Sequence, residues 1–218
     1  MSRRHLLAMV LTSTLGLSAC SSKPAPSGFL SDYSLLTRQQ ASSGQTVLSW
    51  VDPRWPRGRY IEVYLQPSQY YPAPTPSTRI PQATLSAISH YYDATLRSEL
   101  GKVMTVVDKP GPNTLVVRPA ITRVSADTQG LRFYEWLPVT LVAAGISSAT
   151  GMRDRDSDIA TELIFEAGTS GRIIAEAMLS GTGTPLENDA QAMTADNVKA
   201  VLDGWAVGLR QAYAANYR

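Results

Sequence analysis

Residues 159–179 read Ile159-Ala160-Thr161-Glu162-Leu163-Ile164-Phe165-Glu166, then Ala167-Gly168-Thr169-Ser170-Gly171, then Arg172-Ile173-Ile174-Ala175-Glu176-Ala177-Met178-Leu179. In the first block Ile159, Thr161, Leu163 and Phe165 alternate with Ala160, Glu162, Ile164 and Glu166. That period of two is the strand period, because successive side chains leave opposite faces of the backbone. The alternation resumes from Arg172 after a block containing two glycines, so the stretch predicts a β-hairpin.

Upstream, Tyr60 to Leu65 predicts another half-buried strand, with Ile61, Val63 and Leu65 on one side and Tyr60, Glu62 and Tyr64 on the other. Pro72, Pro74 and Pro76 interrupt regular structure until Pro81, a residue suited to a first helical turn. Leu85, Ile88, Tyr92, Leu96 and Leu100 then recur at helical spacing, predicting an amphipathic helix over residues 81–100 with Gly101 as its left-handed cap. Val103 to Asp108 and Thr114 to Val124 follow as strands around the turn cluster Lys109-Pro110-Gly111-Pro112-Asn113, and Pro119 marks an edge or a bulge. Leu131 to Trp136 alternates again. The apolar run Leu137 to Ile146 fits a strand, a short helix or a buried loop, and is too short for a stable transmembrane span.

Downstream, Thr194 can cap a last helix on which Val198, Val201, Leu202, Trp205, Leu209 and Tyr213 build one apolar face. Gly204 and Gly208 lie four apart on it, among Asp196, Lys199, Asp203 and Arg210. In that polar company they read as a way to bring the helix near the sheet rather than as a membrane pairing motif. The whole order predicts an α+β or mixed α/β fold, a single sheet of about five to six strands with two main helices packed on it.

The amino terminus carries an address. Arg3 and Arg4 precede an apolar stretch from Leu6 to Ala19, which as a helix spans roughly 21 Å, short of the ~30 Å hydrocarbon core of a bilayer. Residues 1–19 therefore read as a secretory signal peptide. Leu17-Ser18-Ala19-Cys20 resembles the lipobox of bacterial lipoproteins. That resemblance implies cleavage between Ala19 and Cys20, with a diacylglyceryl group on the thiol and an acyl group on the new amino terminus. Three acyl chains anchor almost permanently where one anchors marginally. Ser21 stands where Asp would favour inner-membrane retention in Gram-negative lipoproteins, which points to the outer membrane and its periplasmic face. Cys20 and the Pro-, Ser- and Gly-rich residues up to Gly28 read as a lipidated tether over 20–28, leaving a single periplasmic α/β domain at 29–218.

Composition narrows the chemistry. The chain has 218 residues, 44% hydrophobic and 17% charged, enough for a sizeable globular core. Its net charge of +2 is that of Arg3 and Arg4 alone, since the remaining Lys and Arg balance the 18 acidic residues. The mature chain thus lacks the basic footprint of nucleic-acid binding. Cys20 is the single cysteine, and of the two histidines only His90 lies outside the signal peptide. An intramolecular disulfide, a zinc site of several Cys and His ligands, or a Cys/His nucleophile pair cannot be assembled from that inventory. No metal and no cofactor beyond the covalent lipid is expected.

Gly28-Phe29-Leu30-Ser31-Asp32-Tyr33-Ser34-Leu35-Leu36, Tyr134 to Ala144 around Leu137-Pro138-Val139, and the hairpin Glu162 to Glu176 with its Thr-Ser-Gly turn together resemble a bacterial lipoprotein family, domain of unknown function 3313. The resemblance spans nearly all of the mature chain. It supports the lipoprotein reading and brings no activity with it.

Four features were candidates for a site. His90 and Asp93 are i,i+3 neighbours on a helix, which a surface histidine explains as well as catalysis does. Asp154, Asp156 and Asp158 begin like a calcium loop, but the sixth position is Ile159 and the twelfth Phe165, so a solvated loop is the simpler reading. Gly181-Thr182-Gly183 lacks the third glycine and the lysine of phosphate loops, and reads as a turn. The aromatic group Trp50, Trp55, Tyr64, Tyr70 and Tyr71, with Arg54, Arg57 and Arg59 nearby, has the composition of a glycan or protein grip, although packing accounts for it equally simply.

The leading expectation is a non-enzymatic, lipid-anchored periplasmic module that binds an envelope protein or its own copies. A peptidoglycan or glycan binder and, behind it, an envelope hydrolase are the alternatives. Cys20→Ser is expected to abolish incorporation of labelled palmitate and leave the chain at its precursor mass. Cleavage and lipid incorporation that persist in the variant would contradict the lipobox reading.

Overall fold

The computed structural model describes residues 26–40, 46–55, 58–128, 155–188 and 190–216. The expected signal peptide, Cys20, the strand expected at Leu131 to Trp136 and the Leu137 to Ile146 run fall outside them. In chain order the strands are β1 (Thr37–Gln40), β2 (Thr46–Val51), β3 (Glu62–Leu65), β4 (Gln69–Tyr70), β5 (Thr105–Val106), β6 (Thr114–Thr128), β7 (Arg155–Ala167) and β8 (Arg172–Thr182). The helices are α1 (Gln82–Leu100) and α2 (Lys199–Asn216).

The predicted hairpin is β7 and β8, which pair antiparallel from Ala167↔Arg172 to Asp158↔Thr182. Its connection is a short 3₁₀ turn at Gly168–Ser170 closed by Gly171 at φ 65°. Gly168, at φ 40°, also lies so close to the Gly111 carbonyl that a Cβ would collide with it. β7 pairs with β6 on its other side and is the central strand of the order β1-β2-β8-β7-β6-β3-β5, with β4 also pairing with β6. β3 and β5 run parallel to each other, as do β3 and β6, while β1, β2, β8, β7 and β6 are successively antiparallel, so the sheet is mixed.

The described residues form eight strands, against the five to six expected of the whole chain. β1 is a polar four-residue strand at the edge and β4 has two residues, so neither carries a periodic signal. β2 carries apolar residues on both faces, and such strands lack the alternation that marks a half-buried one. Pro119 sits where β6 has lost one neighbour and not yet gained the next. Pairing with β3 ends at Val117, pairing with β4 begins at Ala120, and a register irregularity follows at Ile121 and Arg123. The strand therefore tolerates a residue without an N–H.

Among the described residues both helices cover the same face. Leu85, Ile88, Tyr92, Leu96 and Leu100 of α1 are all buried, as their spacing predicts. Ile88, Tyr92, Leu96 and Leu100 cluster with Val63, Leu163, Phe165 and Ile174 from the sheet and with Val198, Leu202, Trp205 and Tyr213. Tyr91 donates to Asp203 at 2.8 Å, Arg210 donates to Glu99 at 2.8 Å, and the Tyr92 and Trp205 rings meet edge-on at 6.3 Å, so α2 runs parallel to α1. No helix among the described residues is long and apolar enough to cross a membrane.

Several local expectations are corrected. Gly101 ends α1 in the right-handed region (φ −61°) rather than as a left-handed cap, and a Cβ there would press on the Arg97 carbonyl at 2.9 Å. Tyr60 precedes β3 instead of belonging to it. Its ring enters the core, its carbonyl accepts from the Tyr213 hydroxyl, and Ile61 is left 58% exposed. Residues 155–158 continue β7 rather than forming a loop. Gly204 and Gly208 do not bring α2 to the sheet, because among the described residues a Cβ at either meets nothing within 4 Å. That close approach is made at Gly181, where a Cβ would lie 2.6 Å from Val201 Cγ1, and at Gly183, which abuts the Asn197 carbonyl.

Glycine inside a helix costs roughly 0.5–1 kcal/mol relative to alanine. With open space above both residues, Gly204→Ala and Gly208→Ala should each raise the free energy of urea unfolding by about that much. A loss of stability in either variant would show that the space is filled.

Candidate functional site

On β7 and β8 the side opposite the helices carries Glu162, Ile164 and Glu166 beside Glu176 and Met178. Glu162 is 0% and Glu176 1% exposed. Since Ile164 pairs with Glu176 and Glu162 with Met178, the two carboxylates are diagonal neighbours on one face. Among the described residues neither has a cationic partner.

Residues 27–36 lie across them as a strap. Ser27 donates its backbone N–H to Glu162 Oε1 at 3.3 Å and its hydroxyl to Oε2 at 2.7 Å, and the Tyr33 hydroxyl donates to Oε2 at 2.7 Å. Ser31 donates both its N–H (2.7 Å) and its hydroxyl (2.8 Å) to Glu176 Oε1, while Oε2 has no hydrogen-bond partner among the described residues. The Tyr33 oxygen in turn accepts from the N–H of Gly28 (2.8 Å) and of Leu30 (3.2 Å), closing the strap on itself. Asp32 caps the short 3₁₀ turn Tyr33–Leu35 by accepting from Ser34, chiefly through its hydroxyl, and this holds the Asp32 carboxyl below its usual range. Leu30 and Leu36 are buried against Leu48, Ile164 and Met178 in a second small core. Phe29 packs on Tyr71 (centroids 5.7 Å apart) and under the Arg118 guanidinium, which pairs with Glu166 at 2.7 Å. Ser27 and Gly28, read from sequence as the end of the tether, are thus held on the sheet.

On the helix side an apolar groove of about 590 Å³ opens between α2 and the β2–β8 end of the sheet. Val47, Val51, Ala175 and Ala177 form its floor and Gly204 and Gly208 part of its wall. Trp55 and Trp205 also line it, and the indole N–H of the buried Trp205 has no hydrogen-bond partner among the described residues. Trp55 is placed by the turn after β2, where its N–H donates to the Asp52 carbonyl and its ring meets Tyr60 edge-on at 5.6 Å. The same turn is fixed by the buried Asp52 carboxylate, which accepts from the Arg54 side chain and N–H and pairs with Arg172. Those cations, Arg54 first, hold Asp52 down to about 2.

The five aromatic residues of the sequence reading are divided by the sheet. Trp50 packs into the strap-side core, and Tyr64 alternates with the core residue Val63 and so points the same way. Tyr71, 40% exposed, stands beside Phe29. Trp55 and Tyr70 belong to the helix side, where the Tyr70 hydroxyl donates to the Leu85 carbonyl and burial pushes its pKa up. Arg54 is committed to Asp52, Arg59 lies over the Tyr60 ring, and Arg57 falls outside the described residues, as do Ala19, Cys20 and Asp154. His90 is exposed on α1, and the Asp93 carboxylate accepts from the Ser68 N–H at 2.9 Å. Among the described residues no three His, Cys, Asp or Glu side chains are grouped to hold a metal.

Sequence reasoning missed the strap's partners. The available signal was the pair Glu162 and Glu176, set among Ala and Ile on the second face of a hairpin whose first face is wholly apolar apart from Thr161.

A mixed sheet with both helices on one face and an N-terminal strap on the other is the architecture in hand, and comparison with known proteins gives it a family. The chain belongs to the family described as Protein of unknown function (DUF3313), whose model matches residues 25–209. It is 36% identical over 201 residues, 90% of each chain, to an uncharacterized lipoprotein, YdcL, of Escherichia coli K12. The same match is found in Escherichia coli O157:H7. Among solved structures it is similar to the PelC dodecamer from Paraburkholderia phytofirmans (10% identity, TM-score 0.40, 75% of this chain and 97% of that one). A putative neuraminyllactose-binding hemagglutinin homolog from Helicobacter pylori is similar at 10% identity and TM-score 0.39, over 75% of this chain and 85% of that one. Likeness at that level carries neither ligand nor assembly to this chain.

Tyr33→Phe removes one donor from the buried Glu162 and the acceptor for two strap N–H groups. The unfolding free energy should fall by about 1–3 kcal/mol, the range for stripping a partner from a buried polar group. A change within a few tenths of a kcal/mol in urea titration would mean that the Tyr33 hydroxyl adds nothing to the hold on Glu162.

Proposed function

We propose that this protein is a lipid-anchored envelope lipoprotein on the periplasmic face of the outer membrane, and that it acts by binding an apolar segment of another envelope protein rather than by catalysis. The observation carrying the reading is the groove between α2 and β2–β8. It is lined largely by small and apolar side chains, and among the described residues nothing lies within 4 Å over two helical glycines that intrinsic propensity disfavours there. Its volume falls within the range of binding clefts, ~300–1,000 Å³, and its lining is of the apolar kind such clefts have. β1, whose Thr37 and Gln39 also border it, is the terminal strand of the sheet, so an extended partner segment can add to that edge while placing alternate side chains in the groove.

Family membership and the lipoprotein relative support the anchored location. The glycan alternative has less support, because its aromatic residues lie on both sides of the sheet.

A photo-crosslinking amino acid at Gly204, in cells at native abundance, should yield one specific envelope-protein adduct, and that adduct should disappear when Gly208→Leu fills the groove. An adduct between two copies would make the partner a second copy of the chain. The absence of any specific adduct, or one indifferent to Gly208→Leu, would overturn the groove as the binding surface.

A further inference from the structure

The place where the tether leaves the fold restricts how the protein can sit on a membrane. Ser27 is pinned to Glu162, which is on the central strand β7, with three strands between it and either edge of the seven-strand path. Glu162 is also near the middle of that strand, which runs from Arg155 to Ala167. The tether therefore departs from the centre of the strap-bearing face.

Between Cys20 and Ser27 there are seven residue steps, at most ~25 Å when fully extended. To bring the helix layer down onto the bilayer, the tether has to cross ~14 Å of sheet, three strand spacings, before reaching an edge. It must then descend ~15 Å more past the sheet-to-helix spacing and the helix radius. The chain is too short for that path, even with the side chains on both faces left out.

A second observation distinguishes face-on from edge-on seating. Tyr71, 40% exposed, flanks the exit point, with its ring within 4 Å of where a Cβ on Gly28 would lie and packed on Phe29. A tyrosine with an apolar body and a polar tip is the side chain that settles at headgroup depth. We propose that the strap-bearing face of the sheet is turned toward the bilayer, with Tyr71 at its surface and α1, α2 and the groove held away from it. This rests on the reading that Cys20 carries the lipid.

Because acylation consumes the only native cysteine, single introduced cysteines can be labelled without interference. Ser180→Cys and Arg123→Cys are exposed and both pair with Ala160 on the strap side, whereas His90→Cys and Arg97→Cys are exposed on α1. Each full-length lipidated variant is reconstituted into phosphatidylethanolamine–phosphatidylglycerol vesicles, and energy transfer is measured to a headgroup acceptor. The strap-side labels are expected ~15 Å nearer the headgroups than the α1 labels. That difference should shrink when Ser27→Ala and Tyr33→Phe together unpin the strap and lengthen the tether. Equal distances, nearer α1 labels, or a difference untouched by unpinning would overturn the orientation. Failure of the wild-type chain to associate with vesicles at all would instead overturn the lipid anchor, and the orientation with it.

Discussion

Two carboxylates buried side by side in a sheet impose a demand that the rest of this structure is arranged to meet. An ionised group removed from water needs charge or hydrogen-bond donors in compensation. Among the described residues Glu162 and Glu176 take theirs from one short stretch of chain, Ser27 to Tyr33, rather than from cations. The strap is short and without regular structure beyond one 3₁₀ turn, and Leu30 and Leu36 are the residues it buries. Five charge-assisted hydrogen bonds, each stronger than a neutral one, turn a surface segment into a fixed attachment. The second oxygen of Glu176, without a hydrogen-bond partner among the described residues, marks the position as one held by context rather than ideal in itself.

The two faces of the sheet thereby acquire different duties. The strap side holds the N-terminal segment on the two buried carboxylates, while the helix side holds the main core and the groove. Both depend on β7 and β8, whose odd-numbered residues such as Leu163, Phe165, Ala175 and Ala177 face the helices and whose even-numbered glutamates face the strap. A one-residue slip in either strand would send carboxylates into the core and apolar groups under the strap, so the hairpin register governs both.

How much of this the sequence discloses follows from where a single physical signal dominates. The hairpin and α1 are legible because one buried face writes a clean period, and every buried position expected on α1 is buried. β2 is illegible because Leu48 and Trp50 pack under the strap while Val47 and Val51 face the helix side, which removes the alternation. β1 and β4 are too short and polar to carry one. The glycines mislead for a related reason. Four-residue spacing in α2 suggests close packing, but the close approaches are at Gly181 and Gly183, where β8 ends against the entry to α2. The aromatic residues are near one another in sequence, yet Tyr64 and Trp50 go to the strap side while Tyr70, and Trp55 by way of the turn after β2, go to the helix side. The strap was least legible of all, since Ser27 and Ser31 resemble tether composition and only their distant carboxylate partners give them a role.

Amide hydrogen exchange in the strap bears most directly on the central claim. If buried carboxylates fix the segment, the Ser27 and Ser31 amides that donate to them, and the Gly28 and Leu30 amides that donate to Tyr33, should exchange far more slowly than in an unstructured peptide of the same sequence. Protection should also collapse across the whole strap in a Glu162→Leu variant. Exchange of these amides at free-peptide rates in the native protein would contradict the account.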